Sequence, residues 1–212
     1  IHRPAPGLSR RRPPSRTALV VLGMPRSGTS ALAGVLGHMG ADLPQELMPP
    51  NESNPHGYFE SMKAYWLNDA LLTSAGSSWD DWKPINPDWY QSPRRREYHA
   101  RATEMLGLEF GRSAFFVLKD PRVCRLLPFW KDVLHDNGIR PLFVCTHRHP
   151  QEVVASLARR EGWSVSQGLL LWLRHVLDAE ADSRGALRVF VSYDMLLADW
   201  RQALTRISKG LS

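Results

Sequence analysis

The chain has 212 residues, 43% hydrophobic and 23% charged, which suits one domain with a sizeable core and excludes a wholly disordered polypeptide. No apolar run reaches the ~18 residues of a transmembrane helix. Two cysteines, Cys124 and Cys145, are too few for a disulfide framework, so a reducing, cytoplasmic setting is expected. The net charge of +6 is unevenly placed: Arg3, Arg10, Arg11, Arg12 and Arg16 fall within residues 1–16 without an acid, and the other 22 of 27 basic residues nearly balance 21 acids. With four prolines, that segment reads as a solvated tail or linker ahead of a domain at 17–212, the alternative being a grip on an anionic surface. Nucleic acid is therefore not expected as a partner. The start at Ile1, with neither an initiator Met nor a signal-peptide pattern, suggests a fragment.

Thr17–Gly23 reads as a buried strand and Ser27–Met39 as the helix that follows it. A Pro- and Asn-rich loop spans Asp42–Tyr58, then a helix Glu60–Leu72, a second irregular stretch at 74–93 with Trp79, Trp82 and Trp89, and a charged helix from Pro93 to Phe110. Ala114–Leu118 is the next strand, and Val123–Asp136 a helix with a kink expected at Pro128. Pro141–Thr146 is a strand, and Gln151–Arg160 a helix. Ser164–Ser183 reads as an amphipathic helix with Leu169, Leu170, Leu173, Val176 and Leu177 facing inward. Leu187–Val191 is the last strand and Asp194–Ile207 the last helix. Strands alternating with helices predict an α/β fold, a P-loop-like three-layer α/β/α arrangement around a central parallel sheet.

The most specific motif is Gly23-Met24-Pro25-Arg26-Ser27-Gly28-Thr29-Ser30, between the first strand and its helix. Backbone N–H groups and the positive end of a helix dipole suit such a turn to a phosphate. It has the outline of a P-loop, but Thr29 stands where a nucleoside triphosphatase carries its lysine. Polar groups also follow the other strands: Lys119 in Lys119-Asp120-Pro121-Arg122, Arg148 in Arg148-His149-Pro150, and Tyr193 in Ser192-Tyr193-Asp194. In an open parallel sheet the carboxyl edge is where ligands bind. His147 and His149 flank an arginine and no Cys-x-x-Cys occurs, so no metal is expected.

The loop PRSGTS closely resembles the 5′-phosphosulfate loop of sulfotransferases that use 3′-phosphoadenosine 5′-phosphosulfate (PAPS), and the resemblance extends from about Thr17 to Ile207. It is nearest to bacterial sulfotransferase domains and more remote from tyrosylprotein and carbohydrate sulfotransferases. It implies that Pro25, Arg26, Ser27, Gly28, Thr29 and Ser30 cradle the phosphosulfate. Arg148, Ser156 and Arg160 would hold the 3′-phosphate, and Tyr193 would pack on the adenine. Lys119 and Arg26 would stabilise charge on the leaving phosphate, and Glu60 would be the base that takes the acceptor proton, with His56 its rival. The acceptor would be a hydroxyl group of a carbohydrate, a tyrosine or a small molecule, selected by the loops at 42–58 and 74–93, and transfer would be in line and metal-free. The basic, glycine-containing C-terminal segment that closes over the 3′-phosphate in many relatives has only Lys209 and Gly210 as a counterpart here, which implies an absent or shortened clamp. Two other readings stay open: a kinase or NTPase with Asp120 as its magnesium-holding carboxylate, and a catalytically silent nucleotide-binding domain. More plainly, Asp120 caps a helix, Glu60 sits at a helix start, and the tryptophans pin a loop.

Overall fold

The computed structural model describes residues 16–212, so the proposed basic tail lies outside them apart from Arg16. Four strands form one all-parallel sheet: β1 (Arg16–Leu22), β2 (Phe115–Lys119), β3 (Ile139–His147) and β4 (Arg188–Ser192), in the order β2-β1-β3-β4. β1, β2 and β3 hold apolar runs of consecutive buried residues, as strands covered on both faces require, whereas edge strand β4 alternates, with Val189 and Val191 buried and Phe190 exposed. The period of two sorts them. Ala18, Val20, Leu22, Phe116, Leu118, Phe143 and Cys145 face one core, and Leu19, Val21, Val117, Val144, Val189 and Val191 face the other.

Helices α2 (Met62–Ser74), α3 (Pro93–Phe110) and α4 (Leu127–Asp136) close the first core. Helices α1 (Thr29–His38), α7 (Tyr193–Ala198) and α8 (Trp200–Gly210) close the second, completing the three-layer α/β/α arrangement. Helices α5 (Pro150–Glu161) and α6 (Val165–Asp182) pack on each other over Met24, Val153, Leu157 and Leu171. Because β1 is flanked by β2 and β3, its end is the point where the strand order reverses, and a crevice opens there.

Four expectations need correction. On α6 the inward residues are Gly168, Leu171, His175 and Ala179, whereas Leu169, Leu170, Leu173 and Leu177 are exposed and Val176 is half-buried. Apolar residues surround most of this helix, so periodicity alone does not select a face. Contact is made instead where small Gly168 lets α6 approach Val154. The last helix is two helices, broken at Asp199, whose extended backbone lets its carboxylate cap the N–H groups of Arg201 and Gln202. Pro128 does not kink a helix; it sits in the first turn of α4, where its missing N–H costs nothing. β1 begins at Arg16, counted above with the tail; its guanidinium lies over the Phe116 ring.

A buried polar chain ties this framework to the crevice. Trp130 Nε1 donates to Asn68 Oδ1 (2.9 Å), Asn68 Nδ2 donates to Asp120 Oδ2 (3.1 Å), and Asp120 Oδ1 accepts from the Arg122 backbone N–H (2.8 Å) and its guanidinium (3.2 Å). Asp120 thereby caps the 3₁₀ turn Pro121–Cys124 and fixes the chain directly after Lys119. Replacing Asp120 by Ala removes the closest carboxylate from Arg122, leaving Asp69 (3.8 Å) and the Tyr65 ring (4.1 Å to the centroid), and is expected to cost up to about 3 kcal/mol. Urea unfolding midpoints should show this loss, with Asp120→Asn, which keeps an acceptor for the turn, losing less.

Candidate active site

The phosphate-type loop spans Gly23 to Gly28 between β1 and α1. Gly23 is required by crowding: a Cβ there would lie 2.7 Å from the Thr146 side chain on β3. Gly28 is left-handed (φ 86°) and a Cβ there would lie 2.2 Å from Tyr193 Cδ2, so the ring after β4 packs directly on the loop. No side chain caps α1, whose first N–H groups face into the turn, and the buried Ser27 hydroxyl has no hydrogen-bond partner. Uncapped donors and an unpartnered buried hydroxyl suit an anionic oxygen group.

Arg26 is one of two described non-glycine residues in the left-handed region (φ 71°), a conformation costing about 1–2 kcal/mol. Its Nε donates to Ser156 Oγ (2.9 Å) on α5 and its Nη1 to the Ser53 carbonyl (3.0 Å). It thus bridges the loop, α5 and the Pro-rich segment. Arg148 reaches the Arg26 carbonyl (3.4 Å), lies over the Tyr193 ring (4.9 Å to the centroid) and pairs with Glu152 (2.6 Å). Burial, then the neighbouring charges of Arg160 and Arg148, lowers the Arg26 pKa below its ordinary value. The Arg26 guanidinium, bonded to a hydroxyl and a carbonyl and set beside two further arginines, suits an anion.

Arg160 behaves differently from Arg148 and Ser156. It pairs with Glu161, lies 5.9 Å over the Trp79 ring, and lines a cavity of about 480 Å³ that opens on the other side of Arg26. Arg26, Thr29 and Ser30 line that cavity together with Glu60 and Lys119.

Lys119 and Glu60 form the centre of this side. The Lys119 ammonium, 2% exposed, donates to the Glu60 carboxylate, to Ser30 Oγ (3.1 Å) and to the Tyr58 carbonyl (3.0 Å). Glu60 lies just ahead of α2, whose N-cap is Ser61, so capping is not its task. It reaches the cavity because Phe59, the other left-handed non-glycine residue (φ 55°), turns the chain there. The Phe59 ring is seated against Gly34 of α1. Burial raises the Glu60 pKa above its ordinary value, with Lys119 opposing. His56, the rival base, is exposed and does not line the cavity.

Sequence reasoning missed several contributors. Arg125, 2% exposed, donates to the carbonyls of Asp81 (2.5 Å) and Lys83 (2.7 Å) and so fastens the segment that carries Trp79. Buried His175 lines the far end of the cavity; its Nδ1–H donates to the Leu171 carbonyl (3.0 Å), and burial pushes its pKa down to about 4, so the ring is neutral. A single arginine in a turn or a single histidine in a helix carries no local signal for such roles. The tryptophans divide. Trp89 is buried and donates to Ser74 Oγ (3.0 Å), pinning its loop; Trp79 stacks on Trp163 (5.1 Å) at the cavity; Trp82 is exposed. Both cysteines are buried free thiols whose pKa values burial raises, Cys145 to about 11. Among the described residues no group of three or more His, Cys, Asp or Glu is placed to hold a metal ion, and both Asp120 oxygens accept from protein donors. No described helix is long and apolar enough to cross a membrane.

The profile of the sulfotransferase family matches residues 18–212, nearly all of the chain, and the chain belongs to that family. The fold is shared with the sulfotransferase domain of the Synechococcus PCC 7002 olefin synthase. The match has a TM-score of 0.55 at 22% identity and covers 95% of this chain and 74% of that one. No curated protein matches the chain. Family membership supports sulfuryl transfer as the class of activity.

Gly28→Ala is expected to destabilise the fold, by about 1–2 kcal/mol from the left-handed backbone alone, with the Tyr193 clash added. Thermal melts of Gly28→Ala, Tyr193→Ala and the double variant test this. The double variant should lose less than the sum of the two single changes.

Proposed function

We propose that the protein transfers a sulfuryl group from PAPS to an acceptor hydroxyl, using the carboxyl edge of the sheet as the donor site. One observation carries the reading: the buried Lys119 ammonium contacts both Ser30 of the loop and Glu60, so a cation, a base and an anion cradle converge within hydrogen-bonding reach. When bound, PAPS supplies an activated sulfuryl group whose leaving group is a phosphate.

The residues divide the work. Loop N–H groups, Ser27, Thr29 and Ser30 bind and orient the 5′ end, and Arg26 adds charge there. Arg148 and Ser156 hold the 3′-phosphate, and Tyr193, beside both Gly28 and Arg148, flanks the nucleoside. Arg160 is close enough to add to the positive field at Arg26 while its side chain faces the cavity. Glu60 takes the acceptor proton, and its raised pKa makes it a stronger base than an exposed glutamate. Lys119, released from Glu60 as that proton arrives, is left free to stabilise charge on the departing phosphate. Because Lys119 and Arg26 supply positive charge at the reacting centre, turnover is expected to persist in excess chelator.

Calorimetric titration with 3′-phosphoadenosine 5′-phosphate tests the donor site. Binding without metal is expected, weakened about ten- to a hundredfold in Arg148→Ala and Ser156→Ala, as loss of a charge-assisted hydrogen bond predicts. Binding of ATP-Mg alone would instead favour a kinase.

Glu60→Gln is expected to lower kcat about 10²–10⁴-fold, the range for a lost general base, while bisphosphate binding persists as proof of folding. A domain that only binds nucleotide would be indifferent to it. In the parent enzyme, kcat/KM should rise with pH as Glu60 loses its proton, with a midpoint above the usual glutamate range because burial raises that pKa.

A further inference from the structure

We infer that the acceptor is a compact phenol, held by its aromatic face, and not a sugar; this rests on the sulfuryl-transfer reading. Beyond Glu60 the apolar part of the cavity wall is built from Met48, Met62, Tyr65, Trp66 and Trp79, and Arg122, Arg160, Glu161 and His175 also line it. Trp66 is 61% exposed at the rim and meets the Tyr65 ring edge to face (5.0 Å). On the other side Trp79 is held rigidly, stacked on Trp163 and fastened through Arg125. Two tryptophans and two methionines around one opening offer flat, polarisable surface, which suits an aromatic ring.

A sugar would need several polar side chains reaching across the opening, because each hydroxyl buried without a partner is costly. Most polar groups on this wall are already engaged within the protein: Arg160 pairs with Glu161, the Arg122 Nη1 donates to Asp120, and His175 donates to the Leu171 carbonyl, whereas the buried Arg122 Nε has no hydrogen-bond partner. Asn51 Oδ1 accepts from the N–H groups of Ser53 (3.0 Å) and Asn54 (3.1 Å) and from the Tyr58 hydroxyl (2.8 Å). Asn54 Nδ2 donates to the Gly57 carbonyl (2.7 Å) and Ser30 (3.3 Å). These bonds build the loop around the cavity. A volume of about 480 Å³, shared with the sulfuryl end of the donor, leaves room for a small ring system. The base agrees: a carboxylate is better matched to a phenolic proton, with a pKa of about 10, than to the far less acidic proton of a sugar hydroxyl.

The test compares naphthol with methyl glucoside. Binding of each is read by saturation-transfer NMR in the presence of 3′-phosphoadenosine 5′-phosphate, and sulfation of each is measured with PAPS. Naphthol should bind and be sulfated, and the glucoside should do neither. Trp79→Ala and Trp66→Ala should each raise the KM for naphthol about tenfold, the scale of one lost aromatic contact, with bisphosphate affinity unchanged. The exposed Trp66 keeps the test valid if Trp79→Ala misfolds. If the bisphosphate binds but naphthol does not, if the glucoside is the one sulfated, or if both variants keep the parent KM, the phenol inference fails while the donor reading stands. If the bisphosphate itself does not bind, the donor reading fails and this inference falls with it.

Discussion

The buried ammonium of Lys119 is the constraint around which the crevice is organised. A lysine almost fully withdrawn from water must be met by charge and by acceptors, because isolated burial of such a group is prohibitively costly. Glu60 and the Tyr58 carbonyl, from the segment before α2, and Ser30, from the start of α1, meet that need. Satisfying one cation therefore draws together the end of β2, the start of α1 and the Pro-rich segment before α2. The site is a by-product of that satisfaction. The pair that closes it is well suited to be pulled apart again when an anion competes for the lysine and a proton for the glutamate.

Around this centre the protein divides positive charge into two groups. Arg26 and Arg148 lie toward α5 and Tyr193, where the geometry suits a phosphate. Lys119 and Arg160 line the cavity, where an acceptor would approach. Arg26 stands between them, bonded to Ser156 on one side and to the Ser53 carbonyl on the other. Its left-handed backbone is the local strain that such a bridging position requires. The polar chain from Trp130 through Asn68 and Asp120 to Arg122 sits beneath this arrangement and holds Lys119 against the core. Asp120, a candidate metal carboxylate from its motif, is fully engaged in that supporting role.

Much of the fold was legible because strands buried on both faces leave a continuous apolar signature, and each ran into a glycine, a basic residue or a tyrosine at its carboxyl end. The loop around Gly28 was legible for the same local reason: closely spaced small residues have few other uses between a strand and a helix. Less legible were features that depend on what an element packs against. The inward face of α6 was misjudged because its leucines outnumber the positions that a close helix contact can use, and small Gly168 marks the real contact. Which of Glu60 and His56 lines the cavity could not be read from spacing; it turns on the φ of Phe59, whose ring is seated on Gly34.

The class of fold, the loop and the set of polar groups at one edge follow from periodicity and from the chemistry of short local motifs. Long-range packing fixes which carboxylate meets Lys119, that Arg148 turns to the Arg26 carbonyl while Arg160 lines the cavity, and that Trp79 serves a wall while Trp89 serves the core. Those outcomes depend on long-range burial. A charged or aromatic side chain acquires its role from whichever distant partners remove it from water, and no pattern within a single segment records them.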